Sequence, residues 1–335
     1  MSRRPTIKEV SKLAGVSFKT VSRVLNNEKN VSDETRRRVE QAVADLNFRP
    51  SMAARTLAGR KSFQIGLLYD NPDPYYVYHL QAGAQDRCTQ LGYRLLSQPV
   101  DSAAPALVAN VLALIDETHL DGLILTPPIT RSADLIDALD GRSIETVGIG
   151  PDLHADRGRS VGIDDLRAAQ DMTAHLIALG HRRIGFVAGP PDHPSSTLRL
   201  NGYRAALDAA RLAFDPALVV AGDYSLQGGR AAGTALLGGD GARPDAIFAS
   251  SDAMAAGVLA VAHELAIEVP GALAIAGFND SDLASAVWPP LTTVRQPIRD
   301  LGHAAADLLL TPDQRPGRLI LPHAIVTRAS TGEPR

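Results

Sequence analysis

Residues 15–43 read GVSFKTVSRVLNNEKNVSDETRRRVEQAV, and their spacing decides what kind of structure opens the chain. Just upstream, Thr6 precedes IKEVSKLA with Glu9 three places on, the pattern of a capping box. Ile7, Val10, Leu13 and Ala14 recur at helical spacing, and Gly15 ends the run. Ser17 then caps a second helix, FKTVSRVLN. Val21, Val24 and Leu25 fall on its inner face. Lys19, Ser22, Arg23 and Asn26 stand at i, i+3, i+4 and i+7 and share the outer face. Ser32 caps a third helix, with Thr35, Val39, Val43 and Leu46 along one side.

Two short helices joined through Gly15–Val16 make a helix-turn-helix, whose second helix presents its N-terminal residues to the base edges of a major groove. The residue types suit that task. Lysine and arginine pair with the O6/N7 edge of guanine, and each good pair discriminates by about 1–3 kcal/mol. The short hydroxyls and amide of Ser17, Thr20, Ser22, Asn26 and Ser32 suit phosphate oxygens, which fix register without reading sequence. Phe18 suits a thymine methyl, the alternative being packing on its own domain. Arg36, Arg37 and Arg38 cannot all face one groove, so most of them read as solvated.

The charge distribution agrees. The 335 residues carry a net charge of −3, but residues 1–61 hold 14 Lys/Arg against 6 Asp/Glu, and the remainder 20 against 31. A basic head on an acidic body is the footprint of a nucleic-acid-binding module attached to something else. Length implies two or three domains. The one cysteine, Cys88, has no partner for a disulfide and reads as a half-buried helix residue in a reducing compartment. MSRRPTIKEV lacks the apolar region of a secretory signal, and no run of 18 apolar residues exists, so the expected location is the cytoplasm.

After Lys61 the texture changes. FQIGLLYD, YRLLSQPV, DGLILTP and ETVGIG read as strands. YYVYHLQAGAQDRCTQLG, ALVANVLALIDETHL and ADLIDALDG read as helices between them. The alternation restarts with SVGIDD, DMTAHLIALGH, RIGFVAG, LNGYRAALDAA, DAIFASSD, AMAAGVLAVAHELA and ALAIAGFND. Strand–helix alternation with short connections builds doubly wound parallel sheets. Two successive sets predict two similar subdomains with a cleft between them, ligands binding beyond the carboxyl ends of the strands.

Enzyme and cofactor motifs are missing. There is no G-x-G-x-x-G after a strand, no G-x-x-x-x-G-K-[ST], no G-x-S-x-G, no H-E-x-x-H and no Cys/His cluster. The nine histidines are scattered; His181 follows a helix end, where a cation or capping role fits. No cofactor, no metal and no catalysis are expected.

TIKEVSKLAGVSFKTVSRVLNN resembles the signature of the lactose-repressor/galactose-repressor family of bacterial transcription regulators. VSDETRRRVEQAVADLNFRPSMAARTLAGRKS continues the pattern through that family's hinge. HLIALGHRRIGFVAG, SDAMAAGVLAVAHELAIEVPGALAIAGFND and PPLTTVRQP extend it through the body, which also resembles periplasmic sugar-binding proteins of type I. The implied fold is α/β: an all-α helix-turn-helix head over residues 1–50, a hinge helix and linker over 51–61, and an effector-binding and dimerisation domain over 62–335. The last divides into an N-subdomain (62–161 and 295–321) and a C-subdomain (162–294 and 322–331).

The resemblance implies site residues. Phe18 and Lys19 take the place of variable base readers and Arg23 that of a guanine reader. Ser51–Ala58 matches the hinge helix, and Leu57 the leucine wedged into the minor groove. In the cleft it points to Asp73, Tyr76, Thr126, Arg199, Tyr224, Asp252, Asn279 and Gln296. Arginine and carboxylates suit a polyhydroxylated ligand, and Tyr224 offers an apolar platform with a polar edge. Asp252 also fits a helix N-cap. Two positions depart from the family pattern: Ser251 stands where asparagine is frequent, and Asn279 where aspartate is usual. The tyrosine-rich PDPYYVY suits a saccharide, even one larger than a single ring.

The implied function is a ligand-responsive repressor of carbohydrate-utilisation genes, binding a near-palindromic operator as a homodimer with a mono- or oligosaccharide as effector. No heptad tail of the kind that makes tetramers follows Arg328. A purine stacked on Tyr224 is the alternative effector. A sugar carrier without gene control and a sugar-acting enzyme are the alternatives of other classes.

Overall fold

The computed structural model describes residues 5–25, 31–48, 61–150, 158–239, 241–311 and 317–332. Asn26, the expected hinge helix Ser51–Ala58 and its Leu57 lie outside the described residues. The chain divides into two units, Met1–Phe63 and Gln64–Arg335.

The first unit holds α1 (Ile7–Ala14), α2 (Phe18–Leu25) and α3 (Asp33–Asp45). The Thr6 backbone N–H donates to Glu9 Oε2 at 2.6 Å, one half of the capping box. Gly15 ends α1 at φ 62°, a left-handed conformation that glycine adopts without strain. The Ser17 hydroxyl accepts the Thr20 N–H, and the Ser32 hydroxyl that of Thr35. Val10, Ala14, Val21, Val24, Val39, Ala42 and Phe48 form the core. Two features differ from the sequence expectation. Leu13, on the apolar spacing of α1, is 54% exposed. Arg38 is not simply solvated: its Nη2 donates to the Ala14 carbonyl at 2.6 Å, satisfying one of the orphaned acceptors at the end of α1 and tying α3 to the turn.

The second unit begins with β1 (Gln64–Tyr69), α4 (Pro74–Gln90), β2 (Arg94–Pro99), α5 (Leu107–Thr118), β3 (Gly122–Leu125), α6 (Ala133–Gly141), β4 (Glu145–Ile149) and β5 (Arg159–Ile163). It continues with α7 (Asp165–Ala178), β6 (Ile184–Ala188), α8 (Pro194–Ala209), β7 (Val219–Ala221), α9 (Leu226–Leu237), β8 (Ala246–Ala249), α10 (Asp252–Glu264), β9 (Ala274–Asn279), α11 (Asp282–Ala286) and β10 (Thr292–Arg295). It closes with α12 (Ile298–Leu310), β11 (Arg318–Leu321) and β12 (Ala324–Val326). One sheet runs β2-β1-β3-β4-β5-β11 and the other β7-β6-β8-β9-β10-β12. The two orders are equivalent, so the repeat read in sequence is a repeat of topology. Among the described residues all pairings are parallel except β12 on β10.

The chain passes between the sheets three times: after Ile163, after Arg295, and between Leu321 and Ala324. The boundaries expected at 161/162 and 294/295 therefore cut through β5 and β10. Helix α12 packs on α4 and β4 of the first sheet. Its Gly302 sits where a Cβ would come within 2.0 Å of the Leu80 carbonyl, so these two helices meet backbone to backbone. Cys88, on α4, is fully buried rather than half-buried, and burial pushes its thiol up to about 11. Among the described residues no helix is long and apolar enough to cross a membrane.

Candidate functional site

A cavity opens at the carboxyl ends of the strands of both sheets, where a doubly wound fold leaves backbone groups and loop side chains facing one another. From the first sheet Asn71, Asp73, Tyr76, Pro127, Gly150 and Ile163 line it. From the second come Asp165, His193, Ser195, Arg199, Tyr224 and Asn279, with Gln296 at a crossover. The space open to the centre of a water molecule is about 40 Å³. At ~10–15 Å³ each, that holds roughly three waters.

Arg199 is the charged centre. Pro194 starts α8, and the helix carries Arg199 inward until it is 6% exposed. Its Nε donates to Asp165 Oδ1 at 2.8 Å and its Nη1 to the Ser250 carbonyl at 2.7 Å. The guanidinium carbon lies 3.6 Å from the centre of the Phe278 ring, a cation–π contact. Burial pushes the Asp165 carboxyl up and the arginine pulls it down. Arg199 Nη2 and Asp165 Oδ2 make no further hydrogen bond among the described residues. A donor and an acceptor thus stand side by side at the cavity, an arrangement suited to neighbouring hydroxyls.

Tyr224 is held at φ 66° with its hydroxyl 2.8 Å from Ser196 Oγ and 3.2 Å from Ser195 Oγ. Its ring lies over Gly189, where an added Cβ would be 2.3 Å away. His193 meets the ring edge-on at 5.3 Å between centroids. Burial, then the charge of Arg199, lowers His193 to about 4, so it is neutral at pH 7. Its Nδ1 pairs with Ser195 Oγ at 3.0 Å. Burial raises the Tyr76 hydroxyl above its ordinary value.

Asp73 caps α4, accepting from the Tyr75 and Tyr76 N–H groups. Its other oxygen accepts from Asn279 Nδ2 at 3.0 Å, and Asn279 Oδ1 accepts from Gln296 Nε2 at 2.5 Å. Six of the eight cleft residues named from sequence therefore line one cavity: Asp73, Tyr76, Arg199, Tyr224, Asn279 and Gln296.

Thr126 and Asp252 do not line it. Thr126 is fully buried beside Pro127, its backbone N–H bonded to the Leu68 carbonyl. Asp252 is not the N-cap of α10; Ser251 is, accepting the Met254 N–H. Asp252 is the first residue of the helix, and its oxygens take the Thr293 hydroxyl at 2.6 Å and the Ser281 N–H at 2.7 Å. Of the tyrosines in PDPYYVY only Tyr76 reaches the cavity. Tyr75 Oη donates to the Asp280 carbonyl and Tyr78 is exposed.

In the first unit, α2 turns Val21 and Val24 into the core and leaves Phe18, Lys19 and Arg23 outside, Phe18 at 66% exposure. Thr20 and Ser22 are half-buried, and the Ser17 and Thr20 hydroxyls lie 2.9 Å apart. Ser32 is exposed.

Residues 6–51 match the model of the bacterial regulatory proteins of the lacI family, and residues 173–331 that of a periplasmic binding protein-like domain. The ribose operon repressor of Escherichia coli (strain K12) is 35% identical over 332 residues, covering 97% of this chain and 99% of that one. The chain belongs to the lacI family. It is a DNA-binding transcriptional regulator and not an enzyme. The HTH-type transcriptional regulator CelR of Thermobifida fusca is 34% identical to this lacI-family chain, over 98% of both. Among solved structures, the lac repressor dimer bound to operator and the anti-inducer ONPF superposes with a TM-score of 0.80 at 29% identity, covering 98% of this chain and 100% of that one. The CelR–cellobiose complex superposes at 0.74 with 31% identity and the same coverage.

The sequence reading of this lacI-family chain missed Asp165, His193 and Ser195. Asp165 had a signal, the second of two acids that follow the strand SVGI. His193 and Ser195 flank Pro194, whose fixed φ marks a helix start.

Proposed function

We propose that the chain represses carbohydrate-utilisation genes as a homodimer on a near-palindromic operator, in the bacterial cytoplasm on the nucleoid, with a small sugar as effector. Phe18, Lys19 and Arg23 read bases. Ser17, Thr20, Ser22, Asn26 and Ser32 contact the backbone, and Leu57 of the hinge helix wedges into the minor groove. Asp73, Tyr76, Arg199, Tyr224, Asn279 and Gln296, joined by Asp165 and His193, hold the effector.

The observation that carries the effector class is the buried Arg199–Asp165 pair, which offers a donor and an acceptor to adjacent hydroxyls at the cavity between the sheets. Of the tyrosines in PDPYYVY only Tyr76 lines the cavity, which favours a monosaccharide over the larger saccharide that stretch suggested. A purine is less well served, because the Tyr224 ring lies over Gly189 with its hydroxyl pinned by Ser195 and Ser196 and the His193 ring standing perpendicular to it. The relatives point the same way: one is named a ribose operon repressor, and another was solved with cellobiose.

The test has two arms. Selection from a random duplex library should enrich a near-palindrome, and a thermal-shift panel of pentoses, hexoses, disaccharides and purines should give its largest shift with a monosaccharide. A hit must then change operator affinity, since a ligand that binds both states equally shifts nothing. Enrichment of no sequence by the apo and sugar-loaded forms alike would falsify the regulator reading; a purine as the sole hit would overturn the sugar.

A further inference from the structure

Among the described residues, the two lobes of the second unit are hydrogen-bonded to one another at several points around the cavity. Asn279 Nδ2, at the end of β9, donates to Asp73 Oδ2, the cap of α4, at 3.0 Å. Tyr75 Oη, from the second residue of α4, donates to the Asp280 carbonyl at 3.1 Å. Arg131, beyond β3, donates from Nη1 to the Asp192 carbonyl at 2.5 Å, in the loop before α8. The first pair lies in the cavity wall. Arg131 follows the lining residue Pro127 by four places and Asp192 immediately precedes the lining residue His193, so the third bond belongs to another stretch of the rim.

The Asn279 side chain has one workable orientation. Asp73, already accepting two backbone N–H groups, presents only an acceptor. Gln296 supplies the donor for Oδ1. The amide nitrogen must therefore face Asp73. The backbone supports this pose at some cost: Asn279 sits at φ 118° and Asp280 at φ 57°, conformations that non-glycine residues adopt only when their surroundings hold them there.

We propose that Asn279–Asp73, with Tyr75–Asp280 and Arg131–Asp192, is a clasp that ties the two lobes together across the effector cleft. Asparagine at 279 is what makes it work. Aspartate there would set a second carboxyl against Asp73, and the two could stay together only by sharing a proton. The affinity of the ligand then includes the balance between clasped and open forms. This deepens the effector-receptor reading and rests on it for its regulatory meaning, but the clasp itself is tested without any ligand.

Cys88 is buried, so spin labels can be directed to cysteines introduced at the exposed positions Asp140 on α6 and Asp208 on α8 of the full chain. Pulsed electron-resonance distances on the ligand-free, DNA-free labelled protein, diluted with excess unlabelled chain so that each dimer holds one labelled subunit, should show one narrow distribution. Asn279→Asp should lengthen and broaden it, Asn279→Leu should do so to a smaller degree, and melting curves should confirm that both variants are folded. Unchanged distances in two folded variants overturn the clasp. Should either variant fail to fold, Arg131→Ala decides: a longer distance supports the clasp, and an unchanged one overturns it. Sugar binding measured separately on the unlabelled protein tells failure of the clasp from failure of the effector reading.

Discussion

Arg199 carries its charge into the second unit with one counter-ion, Asp165, 2.8 Å away, and one carbonyl, that of Ser250. Removing one partner leaves the other charged and buried, which typically costs about 3–5 kcal/mol. Removing both is milder, because the uncompensated charge goes too. Arg199→Met should therefore lower the urea midpoint sharply, and Arg199→Met with Asp165→Leu should recover part of the loss while still failing to bind effector. A double variant no more stable than the single would mean the pair does not act as a unit. Asp252 gives a second residue-scale test. Burial lifts its folded-state carboxyl from 3.8 to about 7. Between those values the folded state keeps a proton that the unfolded chain has released. Stability on this account is complete below pH 4 and declines as pH rises through 7, by about 1.4 kcal/mol per unit while one proton separates the states. The Thr293 hydroxyl can turn to accept that proton. Asp252→Asn keeps a donor toward Thr293 and an acceptor for the Ser281 N–H, so denaturation midpoints from pH 5 to 8 should vary less in the variant than in the parent.

Among the elements, helices with strong apolar spacing and clear caps were legible in sequence, and one dense in glycine was not. Thr6, Ser17 and Ser32 announce α1, α2 and α3 because capping is local chemistry. LQGGRAAGTALL, which forms α9, was passed over, since three glycines in twelve residues speak against a helix. Tertiary contact overrides that propensity: a Cβ on Gly229 would lie 2.3 Å from the Met254 carbonyl, and one on Gly257 2.3 Å from that of Leu226. The glycines are what let α9 and α10 touch. Asp165 was missed for a related reason, since its worth lies in a partner 34 positions away. Thr126 and Asp252 were misplaced because position after a strand end does not say which way a side chain points. The same close approach predicts that Gly302→Ala forces α12 off α4. Overpacking of this kind costs about 1–3 kcal/mol, and calorimetry should show it as a lowered melting temperature. A neutral result would mean that the two helices can slide apart freely.

At the scale of the whole molecule, a head of 14 basic against 6 acidic residues is joined to a body with 20 against 31. The body carries the same sign as DNA, so affinity for a duplex must come from the head and fall steeply with salt. Two heads on one operator need two chains held together. Trp288 is 79% exposed, a large apolar surface with no cover in the single chain. Trp288→Glu should shift sedimentation toward monomer and weaken operator binding by the loss of the second head; a variant that still sediments as a dimer would place the interface elsewhere. The specificity of each head then rests on the outer face of α2. Lys19 is exposed there beside Phe18 and makes no cap or core contact that would confine it to a structural role. If it reads a guanine edge, Lys19→Ala should relax preference at one base pair in each half-site, a loss of about 1–3 kcal/mol of discrimination. A phosphate contact behaves differently: binding weakens alike on every sequence, and the slope of log affinity against log salt falls by about one. Titrating parent and variant on the selected operator, on single-base variants of it and on random duplex at several salt concentrations separates the two, and uniform weakening would move Lys19 from the bases to the backbone.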